Sequence, residues 1–179
     1  SHSVSYAIDS YMTAWLFTHY PAQWLTAYLE SQSGDPDKKA SASGVLKKLG
    51  YSIVPIDINL ASAEWRYIPD KQFMPSFLSI KGMGLAAIEE VLANRPYTSL
   101  EDLLWDSAGD WRHSKFNKRS LDALIRVQAL QSLDCVGPDK LFKTWKQLHH
   151  VVIECNDEIK KTSKKEPNKG RKRFYELIK

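Results

Sequence analysis

Apolar positions recur at three- and four-residue steps through residues 6–20 and again through 22–30, the spacing that lays one apolar face along a helix. Pro21 separates the two runs, because the residue before a proline is pushed out of helical geometry. Two helices are predicted. The segment is aromatic (Tyr6, Tyr11, Trp15, Trp24, Tyr28), and Asp9 and Glu30 are the only carboxylates in a stretch without lysine or arginine. Such a face is either a buried core hairpin or a surface that packs on a neighbour outside the chain.

Residues 31–43 (SQSGDPDKKASAS) read as a polar linker with Gly34 and Pro36 as breakers. Residues 45–49 end a short helix at Gly50, a suitable residue just past a helix terminus. Three short runs at residues 51–59, 64–68 and 75–80 read as extended pieces of a small sheet, with Pro55 demoting the first to an edge strand. Helical spacing returns with Leu85, Ile88 and Leu92. It continues in residues 98–108, where Thr98 or Ser99 can cap and Glu101 and Asp102 suit the positive helix end. A further helix follows Asn117 over residues 118–130. From Pro138 a long amphipathic helix is predicted, with Leu141, Trp145, Leu148, Val152, Cys155 and Ile159 on one side.

Composition changes this picture little: 43% hydrophobic and 26% charged residues are ordinary for a globular chain. Charge adds more. Residues 159–179 carry net +7 in a chain whose total is +4, so the remainder is −3 and the basic character belongs to the C-terminal end. That end reads as a tail that either meets a polyanion or is simply solvated. Cys135 and Cys155 make no disulfide framework or zinc spacing, and His149 and His150 match no ligand pattern. No metal site is therefore expected, and a reducing, cytoplasmic setting fits. The apolar region over residues 6–29 is broken by Asp9, His19 and Pro21, so no membrane span is expected. The chain begins with Ser1 rather than Met, which predicts a fragment or a processed piece.

Two of the eight glycines bracket Met83 in Ile80-Lys81-Gly82-Met83-Gly84, immediately before the helix that opens at Leu85. One glycine suffices for a turn with positive φ. A second lets a bulky ligand approach the main chain. The amides of the turn and the unpaired N–H groups opening the helix then converge on one point, where an anion binds, with Lys81 beside it. Such a grip holds phosphate without reading bases. The alternative is a tight turn that binds nothing.

This stretch resembles the helix-hairpin-helix motif of DNA-binding proteins, whose turn is apolar-Lys-Gly-apolar-Gly. The surrounding sequence is similar to the alpha subunit of bacterial DNA polymerase III, the C-family replicative polymerases. Ser1, His2, Tyr6, Ala7, Tyr11, Ala14, Leu16, His19, Tyr20, Pro21 and Ala22 follow the end of that family's fingers region in order. LGYSIVPIDIN resembles its strand before the hairpin, and FNKRSLDALIRVQALQSL its second hairpin. Ile56 replaces a family proline, and Gln128 stands where the second hairpin has glycine. Past Leu133 no counterpart and no clamp-binding segment are seen.

The resemblance implies a mainly α chain with a small β element. Residues 1–49 would be the C-terminal part of the fingers, 50–80 the β element and 81–133 the helix-hairpin-helix region. An amphipathic helix would occupy 134–162 and a basic tail 163–179. It implies duplex or primer-template DNA as partner, contacted by Lys81, Gly82, Met83, Gly84 and Leu85, with Lys115, Lys118 and Arg119 adding side-chain contacts. The remaining polymerase domains would pack on the aromatic N-terminal helices. It also puts His2 near the triphosphate of the incoming nucleotide; by position alone His2 is a frayed chain end.

Polymerisation needs two metal ions held by clustered carboxylates. The one Asp-x-Asp, Asp35-Pro36-Asp37, lies in the predicted linker, so no catalytic residue and no cofactor are expected here, with Mg2+ belonging to the parent polymerase. The chain alone is expected not to extend a primer. Because residues 164–173 are almost free of apolar side chains, truncation after Thr162 is expected to weaken DNA binding without unfolding the body. Two rival readings stand: a free-standing helix-hairpin-helix repair accessory protein, and a protein-interaction module.

Overall fold

The N-terminal apolar run folds as two helices that part at Pro21, α1 (His2–His19) and α2 (Pro21–Gln32). The structure, a computed structural model, describes residues 2–155 and 168–179. Proline is tolerated at the first position of α2 because its missing N–H would have no helical partner there. Leu25 and Leu29 of α2 are buried, whereas α1 has no fully buried residue, packs only the half-buried Phe17 against the small core and leaves Tyr6, Tyr11 and Trp15 exposed. The core-hairpin reading thus holds for α2 and not for α1.

Residues 31–43 are not a linker. α3 (Pro36–Lys48) starts within them, with Asp35 as its cap: the carboxylate accepts the N–H groups of Asp37 and Lys38. Proline breaks a helix interior but suits its first turn, and an aspartate just before it makes the pair a start signal. α3 ends ahead of Gly50, whose φ is +80°. It packs on α2 around Leu25, Leu29, Ala42 and Leu46.

Three short strands follow, β1 (Ser52–Ile53), β2 (Arg66–Ile68) and β3 (Gln72–Met74), in the order β1-β3-β2. β1 is an edge strand that stops before Pro55 and runs parallel to β3; β2 is antiparallel to it. The sequence pattern missed β3, which left-handed Asp70 and Lys71 fold back onto β2. Successive side chains of a strand face opposite ways. Phe73 therefore enters the small core beside Leu25 and Leu29, and Met74 enters the main one. Residues 75–80, expected to be extended, instead contain a 3-10 turn at Phe77–Ser79, because the Ser76 hydroxyl caps it by accepting the Ser79 N–H.

The main core is built by α4 (Leu85–Asn94), α5 (Leu100–Leu104), α6 (Lys118–Arg126), α7 (Trp145–Glu154) and α8 (Lys169–Ile178). Ser99 and Asn117 cap α5 and α6. The helix expected from Pro138 begins only at Trp145. Phe142 is held in the core and paired with Val136, and the Thr144 hydroxyl then accepts the Gln147 N–H to start α7. Ile159 lies outside the described residues.

The expected basic tail is corrected in part. Residues 163–167 also lie outside the described residues, but α8 docks on the body. Phe174 is completely buried, its ring centroid 6.0 Å from those of Trp105 and Phe142. The apolar residues that fasten α8 sit just beyond the basic run, so the run's own composition did not reveal them.

Candidate nucleic-acid interface

The hairpin turn joins the Phe77–Ser79 turn to α4, and its two glycines have different jobs. Gly82 has φ +110°, and a Cβ there would lie 3.2 Å from the Ala123 Cβ and 3.6 Å from the Arg119 carbonyl oxygen. Only glycine lets α6 lie this close to the turn. Gly84 has ordinary extended φ (−90°), and a Cβ there would meet nothing within 4 Å. It caps α4 without a side chain to occupy the helix N–H groups. Among the described residues the N–H groups of Gly84, Leu85 and Ala86 have no acceptor, and all three residues are exposed. This is an open, partially positive helix end.

Lys81 is exposed and has no ion-pair partner among the described residues. Met83 differs from expectation. Its side chain is buried in the main core and its N–H donates to the Ile80 carbonyl at 3.2 Å, so it anchors the turn and offers nothing outward. Leu85 is exposed on the first turn of α4.

α6 reaches the same region. The position of a Gly82 Cβ is 3.8 Å from the Arg119 Cγ, which brings the first turn of α6 beside the glycine turn. Lys118 and Arg119 occupy that turn, where the helix dipole disfavours cations. Here the N–H groups are already taken, since Asn117 Oδ1 accepts those of Arg119 and Ser120. α4 thus offers main-chain donors and α6 offers side-chain cations. Lys115 lies farther along, opposite Glu90, which is about 9 Å down the α4 axis from Gly84.

Sequence reasoning missed the group that sets this arrangement. The Glu90 carboxylate accepts N–H groups from Ser114 (2.8 Å), Lys115 (2.8 Å) and Phe116 (2.5 Å), and the Ser114 hydroxyl. Burial disfavours its charge, but the donors of Phe116, Ser114 and Lys115 outweigh that and hold the carboxyl at about 2. The loop leading into α6 is thereby clasped to α4. A second fastening comes from the IDIN segment. Asp57 accepts the Ser132 N–H at 2.9 Å, Asn59 exchanges two 2.8 Å hydrogen bonds with the Tyr97 main chain, and Ile58 N–H donates to the Ala129 carbonyl. Gln128 adopts φ +57°, a left-handed conformation that glycine takes more readily.

Elsewhere, His2 opens α1 and is exposed, on a helix whose main contact is α2. Asp35 is occupied as a cap, and the described residues hold no cluster of three or more His, Cys, Asp or Glu able to bind a metal. No helix among the described residues is long and apolar enough to cross a membrane.

Comparison with known proteins gives this geometry a family. Residues 50–138 match the helix-hairpin-helix motif family. The chain is 33% identical over 134 residues to DNA polymerase III subunit alpha of Neisseria meningitidis serogroup B, covering 75% of this chain and 12% of that protein. The same subunit of Pseudomonas aeruginosa is 32% identical over 138 residues, covering 77% of this chain and 12% of that one. That of Vibrio cholerae is 31% identical over 140 residues, or 78% and 12%. The match thus takes in about an eighth of each relative's length. The mainly helical chain, with its small sheet, is thus similar to one segment of DNA polymerase III alpha subunits and matches the helix-hairpin-helix motif family over residues 50–138.

Proposed function

We propose that the chain holds duplex primer-template DNA by its phosphate backbone, in support of DNA synthesis by a DNA polymerase III alpha subunit. The observation that carries this reading is the open N-terminus of α4, with Lys81, which has no ion-pair partner among the described residues, and Arg119 beside the glycine turn. Phosphate is the natural ligand of such a helix end, and contacts to it carry no base information. Lys115 and Lys118 extend the basic face. The two-metal chemistry of nucleotidyl transfer is assigned to other parts of an alpha subunit, and so is the nucleotide that His2 would approach.

The exposed apolar face of α1 supports a second role in the same assembly. Ile8 is 54% exposed, Tyr11 70%, Met12 55% and Trp15 44%, and at three- and four-residue steps these four share one side of the helix. Contiguous apolar patches of this kind mark protein contacts. We assign this face to packing against the rest of an alpha subunit.

Fluorescence anisotropy with several duplexes of unrelated sequence tests the DNA reading. Wild type is expected to bind all of them alike, and Lys81→Ala and Gly84→Val to weaken all of them to a similar degree. Unchanged binding in both variants, with the fold intact by circular dichroism, would reduce the hairpin to a turn and favour the interaction-module reading.

A further inference from the structure

We propose that the cleft between α3 and the C-terminal end of α6 is a second phosphate site, built by Lys39, Lys81 and Arg126. This rests on the DNA-binding reading and extends it from one grip to two adjoining ones.

The cleft has a volume of about 370 Å³. Its floor is apolar (Ile56, Ile80, Ala123 and Val127 among others), three cations line it, and among the described residues no carboxylate does. A cavity near the lower end of the ~300–1,000 Å³ range of ligand pockets suits a short piece of sugar-phosphate chain. The apolar floor would meet the sugar and the cations the phosphate.

What sets this place apart is that three cations converge on one apolar cleft. Some basic side chains on this body are held in ion pairs, such as Arg112 with Asp102, Lys140 with Asp134 and Arg171 with Glu101. Lys39 is different. It reaches from α3 across forty residues of sequence to donate to the Ser79 carbonyl at 3.4 Å, and no described carboxylate pairs with it. Burial lowers its pKa, so its ammonium is partly stripped of water with only a neutral partner. Lys81 has no ion-pair partner among the described residues. Arg126 uses only Nε on Asp122, at 2.9 Å, which leaves both terminal nitrogens without an acceptor among the described residues. A phosphate would complete all three.

Lys81 borders both this cleft and the α4 helix end, so the two sites fit neighbouring phosphates of one strand. A free nucleotide carries the same chemistry. The test separates the two sources. With the full chain, duplex affinity is measured against salt for Lys39→Gln and Arg126→Gln. Each is expected to lose about three- to tenfold in affinity and to flatten the log–log salt slope by about 0.9, one counterion per lost contact. Lys39→Arg, which keeps the charge, should retain wild-type binding. In parallel, the Lys39 Nζ resonance is followed by NMR during titration with duplex, and separately with a deoxynucleoside triphosphate. A response to duplex supports a backbone phosphate. A response to the triphosphate alone supports the same site with a free nucleotide as its ligand. Silence to both, with unchanged affinity and slope in the glutamine variants, overturns the proposal. Weakened binding by Gly84→Val in that case leaves the hairpin reading standing on its own.

Discussion

Phe116 donates its backbone N–H to the Glu90 carboxylate at 2.5 Å, and this contact fixes where α6 begins relative to α4. A carboxylate that accepts several N–H groups is stabilised in its charged form. The Glu90 carboxyl is accordingly depressed from its ordinary 4.5 to about 2 in the folded protein. Its contribution to stability is complete above the unfolded value and is lost as pH falls toward the folded one. Wild type should therefore lose stability between about pH 5 and pH 2 through this residue. Glu90→Gln should be less stable by about 1–3 kcal/mol at pH 7, because a neutral amide is a weaker acceptor for these donors. The two proteins should converge toward pH 2. Urea melts at a series of pH values check this; parallel curves would show that the clasp does not depend on the charge.

α8 gives the second prediction. Phe174 is buried without residual exposure against Trp105 and Phe142, and Arg171 bonds Glu101 at 2.8 Å. Truncating a buried phenylalanine costs about 3–5 kcal/mol, whereas the exposed ion pair adds little. Phe174→Ala should therefore lower the melting temperature clearly and Arg171→Ala only slightly. Truncation after Thr162 should act like the former, against the expectation drawn from the basic run alone. Differential scanning calorimetry of the three variants decides it.

What could be read in advance was what short-range chemistry encodes. The break at Pro21, the caps at Ser99 and Asn117, the glycine turn before Leu85 and the edge strand ahead of Pro55 each depend on residues adjacent in sequence. The start of α3 is also local, but proline carries opposite meanings inside a helix and at its first turn, and only the Asp35 cap distinguishes them. The rest depends on distant partners. Glu90 finds its donors 24 to 26 residues away, and Lys39 finds Ser79 at 40. No periodicity announces such a contact. Met83 is legible as part of the turn, but the motif fixes residue type and not which way the side chain faces, and here it faces the core.

Gln128 provides the third prediction. Its φ of +57° is a conformation that costs a non-glycine residue about 1–2 kcal/mol. It is exposed, and the Ala129 carbonyl next to it receives the Ile58 N–H at 2.7 Å, so the turn must keep this shape. Gln128→Gly should relieve the strain, less the added freedom of the unfolded chain, and raise stability by about 0.5–1 kcal/mol. Gln128→Val should lower it, because a β-branched side chain tolerates positive φ poorly. Chemical denaturation measures both. A glycine variant less stable than wild type would show that the Gln128 side chain makes a contact that outweighs the strain.

The last prediction separates the two glycines of the hairpin. Gly82 is required by the fold: its φ of +110° is rarely adopted by other residues, and an added Cβ would press on Ala123 at 3.2 Å. Gly82→Ala should destabilise by about 1–3 kcal/mol, with a fall of several degrees in melting temperature, and any loss of DNA binding should follow that loss of structure. Gly84 is not required by the fold, since its φ is −90° and the space beside it is empty. Gly84→Asp should even stabilise α4 by a few tenths of a kcal/mol, because the carboxylate caps the open N–H groups and suits the positive helix end. The same carboxylate occupies the donors that a phosphate would use and repels it. Gly84→Asp should therefore melt at or above the wild-type temperature while losing duplex binding at every salt concentration and for every sequence. Stability and affinity move in opposite directions only if the helix end is where the phosphate sits. A Gly84→Asp protein that binds duplex as tightly as wild type would place the DNA contact elsewhere on the basic face.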